Sequence, residues 1–505
     1  MAEDDRHPLT RRALRRHQGE TDAADSPSHA GVLTAPEGDA APSPTRSSLA
    51  EPSIVTASRH PTALTWVDES AILARPPGFT DLSGGGVPYV PVGADLLAGA
   101  PRRSILRPGV VILAAVILGL LGGYAATTGL WPLYAVTPEV EAVQVLPAAA
   151  PAAAPVWPAE GSAAVAVEGI GGPLASSADR DAIASITKVV TALVVLDELP
   201  LAPGEPGPEF RFTGRDSDEY WDYLAGGESA LDVPVGGTLS MYQMLEGILI
   251  GSANNYADRL ASYLYPTDAV FANAAASWLD THGIDGITIV EPTGIDARNS
   301  ASPDALIPLA QRALANPVVA EIVAKQAVEI PGAGLVTNTN GLLADPGVVG
   351  IKTGTLDRWS LLSAKNITVA ETPVTLYAAV LGQPDDEARL AASRALYAQL
   401  EAELQPTVAV PAGTTAGYVR TAWGEDVPIV TSADAAVIAW NGGTATVEST
   451  FDLDDLRAAG DTVGALTATG ALDDSVVGLE LAQDVGEPSF WWRLTHPLEL
   501  FGLTG

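Results

Sequence analysis

The polar and apolar positions along the chain form a succession of distinct textures. Residues 1–107 are rich in Ala, Pro, Ser, Asp and Arg and show little sustained apolar periodicity, the composition of a disordered tail. Its cluster Arg11, Arg12, Arg15 and Arg16 reads as solvated charge more readily than as a lipid-binding patch. Short segments around Leu64-Thr65-Trp66 and Tyr89-Val90 could dock elsewhere. Residues 108–138 then contain no charged side chain. The densest part, 109–130, is 22 residues long, about 33 Å of helix at ~1.5 Å per residue. That is enough to cross a bilayer core of roughly 30 Å. Arg102, Arg103 and Arg107 flank its start, and no basic residue follows until Arg180. The positive-inside rule then puts the tail in the cytoplasm and everything after the span outside. The stretch 135–158 turns into an Ala/Pro run, expected to act as a stiff, extended spacer.

From Ser162 the pattern is that of folded protein. Ala164-Val165-Ala166-Val167 predicts a strand, and Gly171-Gly172-Pro173 a turn. The apolar run 189–196 is headed by Ser185-Ile186-Thr187-Lys188 and closed by Asp197-Glu198-Leu199-Pro200, which predicts one buried helix. Residues 200–237 read as looser chain. Two helices are predicted over 239–264, broken at 251–255, and further helices over 271–282 and 303–315. After the turn Asp345-Pro346-Gly347, residues 348–355, 361–369 and 374–381 predict three strands of a meander. Residues 386–404 then predict an amphipathic helix. This order predicts an α+β fold, an antiparallel sheet flanked by helices with an inserted helical lobe. From 406 on, short Val/Thr/Ala runs between Gly and Asp predict a small all-β domain. The aromatic end, with Phe490-Trp491-Trp492-Arg493, could touch a membrane or a partner, but is expected to cap the core of that domain.

The predicted organisation is therefore a disordered cytoplasmic tail (1–107), a transmembrane helix (108–134), a linker (135–158), a main domain (159–405) and a small β-domain (406–505). Composition sharpens this in two ways. The chain contains no cysteine, which excludes disulfides, thiolate metal sites and cysteine nucleophiles. The net charge is −34, which argues against nucleic acid as a partner because phosphate binding needs basic patches.

In such an acidic chain a lysine within a motif stands out. Residues three apart on a helix share a face, so Lys188 can reach the Ser185 hydroxyl. Serine is a poor nucleophile until a neighbour takes its proton. Lysine can do so when it is uncharged, which needs burial or nearby positive potential, and the first turn of a helix supplies such potential. Alone, a serine and a lysine meeting by chance in a helix would explain the pair. Two partners follow, however. Ser252-Ala253-Asn254 lies at the predicted helix break, 67 residues on, and Lys352-Thr353-Gly354 lies on a predicted strand, a further 100 residues on. Singly, the first normally caps backbone groups and the second is a solvated edge and a turn. Together, in this order and on these elements, they are a specific signal.

Here the sequence resembles the serine penicillin-recognising enzymes, and among them the D-alanyl-D-alanine carboxypeptidases, the low-molecular-mass penicillin-binding proteins. Ala184-Ser185-Ile186-Thr187-Lys188, Leu249-Ile250-Gly251-Ser252-Ala253-Asn254 and Gly350-Ile351-Lys352-Thr353-Gly354 are similar to the family's three motifs. Glu291-Pro292-Thr293-Gly294 and Asn338-Thr339-Asn340-Gly341 are similar to two further stretches. The resemblance covers 160–400, and the small β-domain is similar to the family's second domain. The N-terminal span departs from the family's usual C-terminal anchor.

The resemblance implies an acyl-enzyme on Ser185, with Lys188 as base and Ser252 as proton relay. Asn254, Lys352, Thr353, Gly354 and Thr355 would bind substrate, and the N–H groups of Ser185 and Thr355 would hold the oxyanion. The implied partners are the peptidoglycan stem peptide, β-lactams as covalent inhibitors, and the membrane; no metal or cofactor is called for. A β-lactamase would share the motifs but needs a deacylating base, commonly a glutamate ahead of an asparagine, and no clear Glu-x-x-x-Asn follows Glu291. An esterase on the same scaffold and a non-catalytic cell-wall-binding ectodomain are the other readings. The intact motif set argues against the last.

Overall fold

A computed structural model describes residues 107–504. The tail expected over 1–107, with its arginine cluster and its two short segments, lies outside the described residues apart from Arg107. Two compact units are distinguished, one ending at Leu121 and one running from Gly122 onward. Helix α1 (Pro108–Leu130) begins on a proline, whose missing N–H costs nothing at a first helical position. It is apolar on every side. Among the described residues it is the single unbroken helix long and apolar enough to cross a bilayer, and its apolar window is bare of protein. After it come the short strand β1 (Glu139–Ala142) and then β2 (Ser162–Val167) and β3 (Ile170–Ala175).

Next, a 3-10 turn (Ala184–Ile186) runs into α2 (Thr187–Glu198), of which every residue from Thr187 to Leu196 is buried. The looser chain expected over 200–237 instead contains a helix, α3 (Gly214–Ala225). It is mostly polar and buries only Tyr223; a capping box between Thr213 and Asp216 satisfies its first turn. Helices α4 (Met241–Leu249), α5 (Asn254–Leu264), α6 (Asp268–Thr281), α7 (Leu306–Ala315) and α8 (Pro317–Val323) complete the helical side. Strands β4 (Val348–Thr355), β5 (Trp359–Val369) and β6 (Thr372–Gln383) follow, then α9 (Asp386–Glu403).

The main sheet has the order β4-β5-β6-β2-β3, and every neighbour pair is antiparallel. Its central strands are covered on both faces. In β2, Ala164 and Ala166 join the core around α2, while Ala163, Val165 and Val167 join a second core beneath α9. In β6, Tyr377, Ala379 and Leu381 face the first core, and Leu376, Ala378 and Val380 the second. Alternate side chains thus enter opposite cores, as the pleat requires, and the strands read as continuous apolar runs.

Beyond α9, strands β7 (Thr415–Arg420), β8 (Asp426–Thr431), β9 (Thr446–Phe451), β10 (Thr462–Thr469) and β11 (Asp474–Leu481) form a sheet ordered β1-β7-β8-β11-β10-β9. The edge strand β1 comes from the stretch expected to be a spacer. That stretch stays bonded to the folded part. The N–H groups of Val143, Ala148 and Ala150 donate to Ala416, Ala409 and Gly443 carbonyls, and the Gln399 side chain of α9 bonds both Val156 N–H and Ala154 carbonyl. An Ala/Pro run has no side chains to announce this, because its backbone groups make the bonds. The chain ends in two short helices, α10 (Phe490–Thr495) and α11 (Pro497–Leu500). Their buried apolar residues, Trp492 and Leu500, pack with Val136 in a cluster separate from the β-domain core.

Candidate active site

The site lies where α2, the α4–α5 break and β4 converge. Ala184 has φ +48°, an uncommon conformation for a residue with a side chain. This turn presents Ser185 at the head of α2. The room for it is made by two glycines. A Cβ on Gly294 would stand 2.0 Å from the Ala184 carbonyl oxygen, and one on Gly354 would stand 2.5 Å from that of Ile183. Glycine at 354 therefore lets strand β4 close directly onto the serine turn.

Lys188 is fully buried in the first turn of α2. Its Nζ lies 2.8 Å from Ser185 Oγ, 2.6 Å from Asn254 Oδ1 and 2.6 Å from the Thr293 carbonyl oxygen. An ammonium can donate to all three. An uncharged amine can donate to the amide and carbonyl oxygens, neither of which can supply a proton, while its lone pair faces the serine hydroxyl. The same geometry thus serves both protonation states.

Asn254 opens α5, just after Ser252, which is buried at φ +59°. Two of the five non-glycine residues with positive φ among the described residues, Ala184 and Ser252, therefore flank this one site, and backbone strain of this kind concentrates at functional sites. The break is held from outside: Ala253 N–H donates to the Gly247 carbonyl and Asn254 N–H to that of Ser229. From the other side Thr339 N–H donates to the Ile250 carbonyl at 3.3 Å, and the Thr339 and Thr353 hydroxyls are 2.6 Å apart. Contacts therefore close a ring. Ser185 and Lys188 meet Asn254, the Ser252 turn is tied through Thr339 to Thr353, and Gly354 packs back on the Ser185 turn.

Lys352 is buried on β4, and among the described residues its Nζ has no hydrogen-bond partner. Burial, followed by the charges of Lys188 and Arg389, holds its pKa well below the usual lysine range. The repulsion between the two lysines is mutual, so the pair is relieved when one amine is uncharged. Thr355, at the exposed end of β4, has its hydroxyl 3.4 Å from an Arg389 nitrogen.

Two features escaped the sequence reading. Glu291 is buried and accepts hydrogen bonds from the N–H groups of Thr293 (2.7 Å), Gly294 (2.6 Å) and Asp296 (3.3 Å), from the Thr293 hydroxyl (2.7 Å) and from Asn299 Nδ2 (2.5 Å). It winds the loop that delivers the Thr293 carbonyl to Lys188. The quoted stretch Glu291-Pro292-Thr293-Gly294 was the available signal, but it did not say what the glutamate holds. The second is Arg389 of α9, buried and donating to the carbonyls of Gly354 (3.2 Å) and Ser360 (3.0 Å). Nothing in the pattern of that helix marks it.

Fold and site together define an α+β protein with a buried Ser–Lys pair at the head of its central helix. Residues 158–372 match the profile of the D-alanyl-D-alanine carboxypeptidase family. It is 31% identical over 180 residues to the D-alanyl-D-alanine carboxypeptidase DacB2 of Mycobacterium tuberculosis, an alignment covering 34% of this chain and 57% of that protein. The chain thus spans little more than half the length of that curated relative. Similar solved structures include penicillin-binding protein 5 of Haemophilus influenzae (18% identity, 66% of this chain and 100% of that one, TM-score 0.46). The peptidoglycan synthesis regulatory factor PBP3 of Streptococcus pneumoniae is similar at 20% identity, over 65% of this chain and 99% of that one, with a TM-score of 0.45.

Proposed function

We propose that the protein is a serine-type D-Ala-D-Ala carboxypeptidase that removes the terminal D-alanine from peptidoglycan stem peptides. The observation that carries this is the buried Lys188 amine 2.8 Å from the Ser185 hydroxyl, with Asn254 Oδ1 and the Thr293 carbonyl oxygen, acceptors that cannot protonate it, also within hydrogen-bond distance. Uncharged Lys188 takes the Ser185 proton as Oγ attacks the carbonyl carbon between the two D-alanines. The oxyanion is held by the Ser185 and Thr355 N–H groups. When the C–N bond breaks, the amine leaves with a proton relayed through Ser252. Water then attacks the ester, releasing the shortened peptide and returning the proton to Ser185. Asn254 holds the peptide amide, and Lys352 and Thr353 grip the terminal carboxylate, with Gly354 leaving room for the peptide along β4. The carboxylate would give Lys352 both its missing hydrogen-bond partner and its counter-charge. β-Lactams would acylate the same serine and stay, because their leaving amine remains tethered.

A β-lactamase is disfavoured because Glu291, the glutamate nearest the pair in sequence pattern, is committed to five loop donors. For localisation, we read α1 as a single membrane crossing that leaves the N-terminus cytoplasmic and the domain of 159–405 and the β-domain of 406–505 outside. The test uses the full chain in detergent, because a fragment starting at 159 would lose β1 from its sheet. Incubation with a D-Ala-D-Ala pentapeptide is expected to release D-alanine. Benzylpenicillin is expected to add its mass once, and Ser185→Ala to abolish both. A covalent adduct without D-alanine release would leave a penicillin-binding ectodomain; rapid loss of the adduct with hydrolysed penicillin would make the protein a lactamase.

A further inference from the structure

Thr339 lies outside the three motifs, yet its hydroxyl is 2.6 Å from that of Thr353 on β4. The asparagines on either side of it fix its backbone. Asn338 Nδ2 donates to the Lys325 carbonyl at 2.9 Å, Asn338 Oδ1 accepts from Asn340 N–H at 2.9 Å, and Asn340 Oδ1 accepts from Leu342 N–H at 3.0 Å. The N–H of Thr339 itself donates to the Ile250 carbonyl, in the chain leading into Ser252. Thr339 is therefore held in place without help from Thr353. Thr353 in turn is buried and fixed by its pairing with Leu361 of β5. Two independently anchored hydroxyls thus meet, and either can donate to the other. By themselves they have no preferred direction.

A bound carboxylate would set one. An ionised carboxylate only accepts, and a hydroxyl has a single proton to give. Once Thr353 donates its proton to the anion, its contact with Thr339 survives only with Thr339 as the donor. We propose that Thr339 is a positioning residue for the substrate's terminal carboxylate: its hydroxyl donates to Thr353 Oγ1 and so turns the Thr353 proton toward the anion. The inference deepens the carboxypeptidase reading and rests on it. Two hydrogen bonds in line, both directed at the negative charge, polarise one another. The effect is confined to the first half of the reaction. When the C–N bond breaks, the departing D-alanine takes the carboxylate with it, so hydrolysis of the ester no longer involves the pair.

The test measures D-alanine release from a D-Ala-D-Ala pentapeptide by the full chain in detergent. Thr339→Val keeps the shape of the side chain and the bond to Ile250 but removes the proton. Its methyl group also denies water the place of the hydroxyl. The expected result is a KM raised about twofold to tenfold, as for one lost hydrogen bond, because an interaction made equally by substrate and transition state appears in KM and not in kcat. Thr339→Ser should restore the parental KM. If Thr339 acts through Thr353, adding Thr339→Val to Thr353→Val should raise KM no further than Thr353→Val alone. A parental KM in Thr339→Val, or the same added rise on top of Thr353→Val, would overturn the inference and leave the carboxypeptidase reading intact. A KM that Thr339→Ser fails to restore, with a lowered melting temperature, would make Thr339 a packing residue only. No D-alanine release by the parent would remove the reading, and the inference with it.

Discussion

Glu291→Gln tests whether a residue outside the three motifs organises the site. Three donors share Oε1 of Glu291 (Gly294 N, Asp296 N and Asn299 Nδ2) and two share Oε2 (Thr293 N and its hydroxyl). A glutamine places an NH2 at one of these ends. In either orientation at least one buried N–H loses its acceptor and faces another donor, at a cost of about 1–3 kcal/mol. The bonds that remain lose the carboxylate charge that made them roughly twice as strong as neutral ones. Together these amount to about 2–4 kcal/mol against the closed loop, enough to shift its population by more than tenfold. That loop brings the Thr293 carbonyl to 2.6 Å from Lys188 Nζ and Gly294 against Ala184. The variant is therefore expected to be acylated by a fluorescent penicillin at least tenfold more slowly, well below its melting temperature, and to unfold at a lower temperature. Acylation at the parental rate would refute the reasoning. In particular, parental acylation with slowed release of the adduct would make Glu291 a deacylating base instead of a loop organiser.

Two pH dependences follow from the buried charges. Lys352 must be protonated to pair with a carboxylate, and burial, Lys188 and Arg389 all hold its pKa well below 10.5. The acylation rate with benzylpenicillin is therefore expected to fall, about tenfold per pH unit, from an alkaline limb beginning well below the ordinary lysine range. Lys352→Gln should lose most of the rate and the limb with it; a limb placed at the ordinary value would contradict this assignment. Glu219, on α3, has its pKa raised to about 7 by burial, then by Asp258 and Asp216, against the smaller pull of Arg215 and Arg259. The folded chain thus keeps a proton that the unfolded chain gives up above the ordinary glutamate value of 4.5. Stability from this group is fully present below that value and is lost as pH rises through about 7, up to about 3 kcal/mol before discounting its partial exposure. Glu219→Gln should melt above the parent at pH 8 and level with it near pH 4.5; parallel melting curves across that range would count against the assignment.

Much of the architecture is legible from local pattern. The uncharged run of α1, the buried run of α2, the break before α5 and the strands β4 to β6 each carry a period or a composition that belongs to one kind of element. The three motifs could be picked out because each keeps its functional side chains within three or four residues. What no local pattern contains is the meeting of distant backbone. The Thr293 carbonyl that receives Lys188 is 105 residues away from it, and a carbonyl has no residue signature. Arg389 looks like any charge on an amphipathic helix until β4 is laid against it. The Ala/Pro stretch holds to the β-domain through main-chain groups, and α3 is polar enough to read as loop. Phe490 to Trp492 are visibly aromatic, but only the packing of Trp492 inward and Trp491 outward divides them between a core and a surface. Chain order determined which elements form; long-range contact decided which atoms share the cleft.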